Sequence, residues 1–267
     1  MTPAVYQALQ RWFFDYVRGF RNPEGKLPFL MEIKLIHSRR VASDACELAA
    51  DVGCDEADAL TARAAGLLHD VGRFEQFQRY GTYNDRHSTD HGALGLDIIK
   101  RHDALRDCNT LDRDRIEAAI RFHNAKNLPP AMNADFLAHV RIIRDADKLD
   151  ICDTLYQLWK RGDFHRNPAL ALHAKLDGPV TAEALDELTH GLVISHENIR
   201  SLNDFFLTQL SWMRDLNFAP SYRRVARRGL IRNIADALPK NDARIQRLVD
   251  EVEAWVVARQ EPPAVPR

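Results

Sequence analysis

Three observations on the sequence predict an all-α fold. Apolar residues recur at spacings of three and four along most of the 267-residue chain, as they do on amphipathic helices. No stretch of useful length alternates apolar and polar residues as a half-buried strand does, and no internal repeat is present. Because a chain of this length with 45% hydrophobic residues can bury a substantial core, we expect one all-α unit over residues 1–267.

The predicted helices follow one another from the N-terminus. The first covers about residues 5–20 and is ended by the Asn-Pro-Glu-Gly string at 22–25. The second carries His37 and closes near Gly53, and the third spans about residues 56–68.

The next stretch, residues 74–89, shows no clean period and is predicted to be a long loop, of the kind that often carries functional residues. Ser88 or Thr89 is expected to cap a helix that begins near His91. Further helices are predicted over about residues 110–123, 135–160, 181–217, 220–237 and 241–259, and residues 261–267 are expected to be disordered.

The adjacent pair His69-Asp70 carries the most chemical information. Neighbouring side chains cannot share one face of a helix, so both can reach one metal only where the helix ends. Gly72 is expected to supply that stop. Imidazole and carboxylate are both good ligands for a divalent transition metal.

Other histidines accompany this pair. His37 and His123 fall on apolar stripes, which points both side chains inward, and His91 stands at the start of a predicted helix. A single inward-pointing histidine is more often a hydrogen-bonded core residue than a metal ligand. Several imidazoles and carboxylates buried together are costly without a cation, so the set favours a metal site.

The order His, His-Asp, His, His, Asp resembles the HD-domain metal-dependent phosphohydrolase superfamily. The matching strings are Leu-Leu-His-Asp-Val-Gly-Arg at 67–73, His91 with Gly95, and Ala-Asp-Lys-Leu at 146–149. The resemblance implies an HD core over 30–160, and beyond it we expect a helical C-terminal extension over 170–260. The metal ligands it implies are His37, His69, Asp70, His91, His123 and Asp147.

Three aspartates crowd the helix that carries the last ligand. Helical periodicity does not separate Asp145 from Asp147, whereas the resemblance favours Asp147. Asp145 or Asp150 is then expected to accept a hydrogen bond from a ligand histidine.

The number of metal ions follows from the number of ligands. His37, His69, Asp70 and Asp147 suffice to bind one ion. His91 and His123 add the nitrogen ligands that a second ion would need. In the family, Asp70 would bridge two such ions. Two ions are favoured, and one ion stays an alternative, with His91 and His123 as phosphate-binding or proton-transfer groups. The ligand types admit manganese, iron, cobalt, nickel or zinc, and magnesium stays open.

Such a site suits hydrolysis of a phosphate ester or anhydride, in which metal-activated water attacks phosphorus and nearby cations offset the charge on the phosphoryl oxygens. We expect the substrate to be a nucleotide or a small phosphorylated metabolite. The predicted catalytic residues are Asp70, Arg73, Lys148 and, as proton donor, Asp90. The predicted substrate-binding residues are Arg73, Arg86, Lys126 and Lys148.

Two other functions stay open on the same ligand set, a di-iron oxygenase and a non-enzymatic regulatory module that binds a nucleotide. The net charge of −1 argues against a protein that binds nucleic acid by bulk electrostatics. Neither a signal peptide nor a membrane-spanning run is present in the sequence, so a cytoplasmic protein without a membrane partner is expected. A homodimer and the identity of the substrate are left undetermined.

Overall fold

The structure, a computed structural model, describes residues 1–172 and 174–261. The predicted all-α fold is confirmed, since the described residues form helices joined by loops and contain β structure only as an isolated bridge between Lys175 and Ser201. The tail predicted to be disordered lies, apart from Glu261, outside the described residues. Among the helices described, none is both long and apolar enough to cross a bilayer.

Contacts between residues divide the chain into two compact units, residues 1–147 and residues 148–267. The sequence indicated one unit with a core over 30–160. The observed boundary falls inside the longest helix, Ala134–Lys160. The helical periodicity of the sequence runs unbroken through this boundary. The boundary between the two units therefore could not be recognised from the sequence.

The first unit is built from seven helices, the last of which continues into the second unit. They are α1 (Pro3–Arg18), α2 (Phe29–Asp51), α3 (Glu56–Leu68), α4 (Gly72–Tyr80), α5 (His91–Arg101), α6 (Thr110–Phe122) and α7 (Ala134–Lys160).

Small side chains bring α2 and α3 together. Ala42 and Ala45 of α2 and Ala62 of α3 are all buried. A Cβ atom at Gly66 would lie 3.0 Å from the carbonyl oxygen of Val41, so glycine permits the close approach of the two backbones. This packing holds the C-terminal end of α3 against the middle of α2.

The N-terminal caps explain where two of these helices begin. The side chain of Asp55 accepts a hydrogen bond from the backbone N–H of Asp58 at the start of α3. The predicted cap of α5 by Ser88 or Thr89 is wrong. The carboxylate of Asp90, directly before the helix, accepts hydrogen bonds from the first free backbone N–H groups of α5 instead.

The predicted loop over 74–89 is wrong for its first half, because α4 occupies Gly72–Tyr80. This helix is only 9 residues long and buries polar Gln76 as well as Phe74. Its apolar residues are therefore too few to show a helical period in the sequence. It ends at Gly81, whose φ of 65° lies in the left-handed region that favours glycine. The rest of the stretch is irregular apart from one 3₁₀ turn at Asp85–His87.

Gly72 begins α4 and does not stop a helix, which corrects the sequence interpretation. Helix α3 ends at Leu68 with His69 as its C-terminal cap. A Cβ at position 72 would lie 2.2 Å from the carbonyl oxygen of His91 and 2.8 Å from the backbone nitrogen of Gly95. Glycine is therefore required here because the start of α4 touches the start of α5.

Six further helices are found among the described residues of the second unit. The predicted helix over 181–217 is two helices, separated by a segment that contains Gly191 at φ 74° and a 3₁₀ turn at His196–Asn198. The predicted helix over 220–237 is likewise divided at Gly229, where φ is 63°. The helices are α8 (Asp163–Arg166), α9 (Ala182–Thr189), α10 (Leu202–Trp212), α11 (Ala219–Arg228), α12 (Leu230–Ala237) and α13 (Ala243–Val257).

Candidate metal centre

Helix ends supply most of the predicted ligands. His69 is the C-terminal cap of α3, His91 is the first residue of α5, and His123 is the C-terminal cap of α6. Asp70 lies in the turn between α3 and α4. A side chain at a helix end is not bound to one helical face, so adjacent His69 and Asp70 can both turn inward. The two other ligands project from helix interiors, His37 from α2 and Asp147 from α7.

One group of donor atoms forms around His37. Its Nε2 lies 3.0 Å from Oδ1 of Asp147 and 3.3 Å from Nε2 of His69. Oδ2 of Asp70 lies 3.5 Å from each of the two imidazole Nε2 atoms. Four side chains from distant parts of the chain thus direct a nitrogen or an oxygen to one point.

A second group shares Asp70 through its other oxygen. Oδ1 of Asp70 lies 3.4 Å from Nε2 of His91 and 3.6 Å from Nε2 of His123. The two imidazole Nε2 atoms are 2.9 Å apart. The carboxylate of Asp70 therefore stands between the two groups and offers one oxygen to each.

Hydrogen bonds on the far side of three imidazoles decide which nitrogen is protonated. Nδ1 of His69 donates to the carbonyl oxygen of Gly66 at 2.7 Å, and Nδ1 of His123 donates to that of Ile120 at 3.0 Å. Nδ1 of His91 lies 2.6 Å from Oδ2 of Asp85. Because these oxygens accept, the proton of each neutral ring is on Nδ1 and the Nε2 lone pair faces the centre of the site.

This arrangement fits a bound cation. The Nε2 lone pairs of His91 and His123 face each other at 2.9 Å, which is repulsive unless a positive charge lies near both. Oδ1 of Asp147 is buried and has no hydrogen-bond partner. Buried lone pairs and carboxylate oxygens of this kind are satisfied together by a divalent metal ion.

The protonation states also suit metal binding. Burial lowers the pKa of His69, and burial together with the charge of Arg73 lowers that of His91 to about 4. Burial acts to raise the pKa of Asp70, but Lys34 and His69 hold it well below its ordinary value. For Asp147 the effect of burial on the pKa is likewise outweighed, by the adjacent imidazoles of His37 and His69. Near neutral pH the site therefore presents neutral imidazoles at His69 and His91 and ionised carboxylates at Asp70 and Asp147.

Asp85 supports the second group and was not identified from the sequence. Its Oδ1 accepts hydrogen bonds of 2.8 Å from Arg73 and Gln76, while its Oδ2 holds His91. Although burial acts to raise it, the bond to His91 and the charge of Arg73 hold the pKa of Asp85 below its ordinary value. The only sequence signal for this role was the length of the predicted loop.

Lys34 is the second residue that sequence reasoning missed. Its Nζ lies 2.7 Å from Oδ2 of Asp70, closer than any imidazole nitrogen in the site. Lys34 stands three residues before His37 on α2, about one helical turn away, and this spacing was the available signal.

The predicted catalytic residue Arg73 lies within the site. Its Nε is 3.5 Å from Oδ1 of Asp70, and its guanidinium also donates to the carbonyl oxygen of Tyr83 at 2.6 Å. Asp90, by contrast, caps α5 with one oxygen and pairs with Arg121 through the other at 2.9 Å. Burial acts to raise its pKa, but the bond from the Ala93 N–H and the other partners lower it, so Asp90 is held ionised. The role of Asp90 as proton donor stays a prediction.

The remaining predicted substrate-binding residues are Arg86, Lys126 and Lys148. Arg86 and Lys126 have exposed side chains. Nζ of Lys148 lies 2.5 Å from Oδ2 of Asp215, and both of these residues belong to the second unit. The roles of Arg86, Lys126 and Lys148 toward a substrate stay predictions.

The aspartates on α7 differ in their surroundings. Asp147 contributes an oxygen to the His/Asp groups, whereas Asp145 belongs to none of the groups found among residues 1–172 and 174–261. Asp145 is fully buried. Oδ2 of Asp150 accepts a hydrogen bond from the hydroxyl of Thr154 at 3.1 Å. The geometry therefore favours Asp147 over Asp145 as the acidic ligand.

Residues 35–152 match the family model of the HD domain. The matched range lies within the core predicted over 30–160 and contains all the His and Asp side chains of both groups. No curated protein and no solved structure matches the chain significantly.

Proposed function

We propose, from the match of residues 35–152 to the family model of the HD domain, that this protein is a metal-dependent phosphohydrolase. The observation that carries the proposal is the position of Asp70. Its two oxygens face two adjoining pairs of imidazole Nε2 atoms, at 3.4–3.6 Å from each of them. This is the arrangement that a carboxylate needs to bridge two metal ions.

The ligands would divide between two ions according to the oxygen of Asp70 that they face. One ion would be held by His37, His69, Asp147 and one oxygen of Asp70. The other would be held by His91 and the second oxygen of Asp70, together with His123. Each group leaves coordination positions for water and substrate oxygens. When bound, a divalent ion supplies a water of lowered pKa and positive charge for the phosphoryl oxygens.

The residues around the ligands hold them in the protonation state that can bind a metal ion. The carbonyl oxygens of Gly66 and Ile120 accept hydrogen bonds from Nδ1 of His69 and His123. The Nε2 lone pair of each ring is therefore left to bind a metal. Asp85 does the same for His91 and is itself held by Arg73. Partners of this kind orient ligands and increase their basicity.

Positive charge beside the ligands supports a phosphate substrate. The side chains of Lys34 and Arg73 are 16% and 15% exposed, while that of Asp70 is 3% exposed. The two cations are therefore more accessible to solvent than the carboxylate of Asp70 that they contact. A phosphoryl group with two or more negative oxygens is the ligand that such a pair of cations favours, and we propose a nucleotide or a small phosphorylated metabolite as substrate.

A metal and substrate screen tests the proposal. The protein is stripped of metal, loaded separately with manganese, cobalt, nickel and magnesium, and incubated with a panel of phosphorylated metabolites while inorganic phosphate is measured. We expect phosphate release that depends on metal and is lost in Asp70→Asn. Oxygen uptake by the iron-loaded protein, without phosphate release under any metal, would instead favour the di-iron oxygenase.

A further inference from the structure

Lys34 competes for the same oxygen that a metal would use. Its Nζ lies 2.7 Å from Oδ2 of Asp70, the oxygen that faces His37 and His69 at 3.5 Å. An ammonium group at this distance makes a strong charge-assisted hydrogen bond. It also repels a divalent cation placed among the same atoms. Lys34 and a metal therefore cannot both hold this oxygen at full strength.

The ammonium of Lys34 has a second favourable contact besides Asp70. Nζ of Lys34 lies 5.7 Å from the centre of the Tyr83 ring, and the guanidinium of Arg73 lies at the same distance from that ring. Contacts of this length are attractive for a cation. The flexible four-carbon stem of lysine lets the charge move between neighbouring positions, and the side chain is partly exposed. A small displacement away from Asp70 can thus keep the contact of the ammonium with the Tyr83 ring.

We propose that Lys34 is an exchangeable counter-cation of Asp70. It neutralises the buried carboxylate while no metal is bound and gives up Oδ2 when a metal binds. Its ammonium then donates a hydrogen bond to an oxygen of the substrate phosphoryl group. The exchange with metal depends only on the metal centre, whereas the contact with phosphate rests on the proposed function.

Metal binding tests the exchange without any assay of activity. Lys34→Met keeps most of the stem and removes the charge, and Lys100→Met is the matched control, because Lys100 pairs with Glu117 at 3.6 Å on the surface of the same unit. We expect Lys34→Met to bind Mn²⁺ about tenfold more tightly than wild type, which is the ratio for one charge-assisted hydrogen bond that no longer has to be broken. Its metal-free form should also melt at a lower temperature than metal-free wild type, while Lys100→Met should match wild type in both measurements.

Weaker or unchanged Mn²⁺ binding in a folded Lys34→Met protein would overturn the exchange, since Lys34 would then only support the shape of the site. Folding is checked by circular dichroism. If Lys34→Met does not fold without metal, Lys34→Gln serves in its place, because its amide can still donate to Asp70 while it lacks the charge. Tighter Mn²⁺ binding by Lys34→Gln is then the expected result.

Inorganic phosphate tests the second half of the proposal on the Mn²⁺-loaded protein. Titration calorimetry should show phosphate binding about tenfold weaker in Lys34→Met than in wild type, with most of the affinity retained in Lys34→Arg. Equal phosphate affinity in wild type and Lys34→Met would overturn this contact. If no phosphorylated compound is hydrolysed but Mn²⁺ binds Lys34→Met more tightly, the proposed function fails and the exchange stands.

Discussion

Asp70 and Asp147 are the two carboxylates that make this cluster of imidazoles a metal site. Asp70 is shared between both groups of donor atoms, and Oδ1 of Asp147 is buried beside His37 without a hydrogen-bond partner. Their ionised state depends on neighbouring charged and polar groups, Lys34 and the imidazoles, that outweigh the effect of burial on the pKa. The functional weight of each carboxylate can therefore be tested by replacing it with the neutral amide of similar shape.

The paired aspartates on α7 should respond differently. Asp147→Asn is expected to abolish activity and weaken metal binding, because a neutral amide poorly replaces an anionic ligand oxygen. Asp145→Asn should leave the metal bound, since Asp145 lies outside the His/Asp groups of the described residues. Metal analysis of both purified variants, after circular dichroism has shown them folded, measures the difference. Loss of metal in Asp145→Asn alone would reverse the assignment.

Asp85 should act through His91. Asp85→Asn removes the charge that holds Nδ1 of His91 at 2.6 Å, and such losses commonly cost about 10–100-fold in metal affinity or activity. We expect the affinity for the second ion to fall in this range while the first ion stays bound, as measured by titration calorimetry. Asp97→Asn is the control, because Asp97 pairs with Arg101 on the surface at 3.0 Å. Two ions bound as in wild type would show that Asp85 does not orient His91.

Among the helices, the junction of α4 and α5 carries the tightest backbone contact described at a glycine. The turn that holds Asp70 leads directly into α4, and His91 begins α5. Ligands of both groups therefore depend on how closely these two helix starts approach each other. Gly72 sets that distance because it has no side chain.

Gly72→Ala should separate these helix starts. Its Cβ would lie 2.2 Å from the carbonyl oxygen of His91, and overpacking of this kind typically costs about 1–3 kcal/mol in the free energy of unfolding. We also expect weaker binding of metal by the group that contains His91. Chemical denaturation and metal analysis check both effects. Gly19→Ala is the comparison, since Gly19 has a helical φ of −62°, and it should lose less stability and no metal.

Within the first unit as a whole, the candidate centre joins five helices. Its side chains come from α2, from the C-terminal ends of α3 and α6, from the start of α5 and from α7. A cation held by all of them contributes to the stability of the folded state by mass action.

Removal of metal should therefore lower the melting temperature. At a free metal concentration of a hundred times Kd, binding contributes about 2.7 kcal/mol, and one kcal/mol shifts the melting temperature of a domain of 150–250 residues by about 2–4 °C. We expect treatment with a chelator to lower it by about 5–10 °C in scanning calorimetry. His69→Ala and Asp70→Ala should carry little metal as purified and respond little to chelator. If the chelator lowered the melting temperature of these variants as much as that of wild type, the bound metal would have to lie outside the candidate centre.

Elements with a clear period were predictable from the sequence, and contacts between segments were not. Helix α3 was predicted over about 56–68 and is observed at Glu56–Leu68. Helix α4 was missed, because a helix of 9 residues with few apolar positions shows no period. The helices on either side of Gly229 were merged, since the φ of 63° that separates them depends on the local fold and glycine also occurs within helices.

By itself, the sequence determined the helical class of the protein and the chemistry of its candidate site. The His-Asp pair and the inward-facing histidines required only local spacing and the cost of burying charge. Tertiary structure alone decided how the oxygens of Asp70 divide between two groups, and which side chains surround them. Lys34 is 36 residues from Asp70 along the chain, and Asp85 was predicted to lie in a loop. Their roles depend on distances of about 3 Å between separate segments, which are set only when the helices pack.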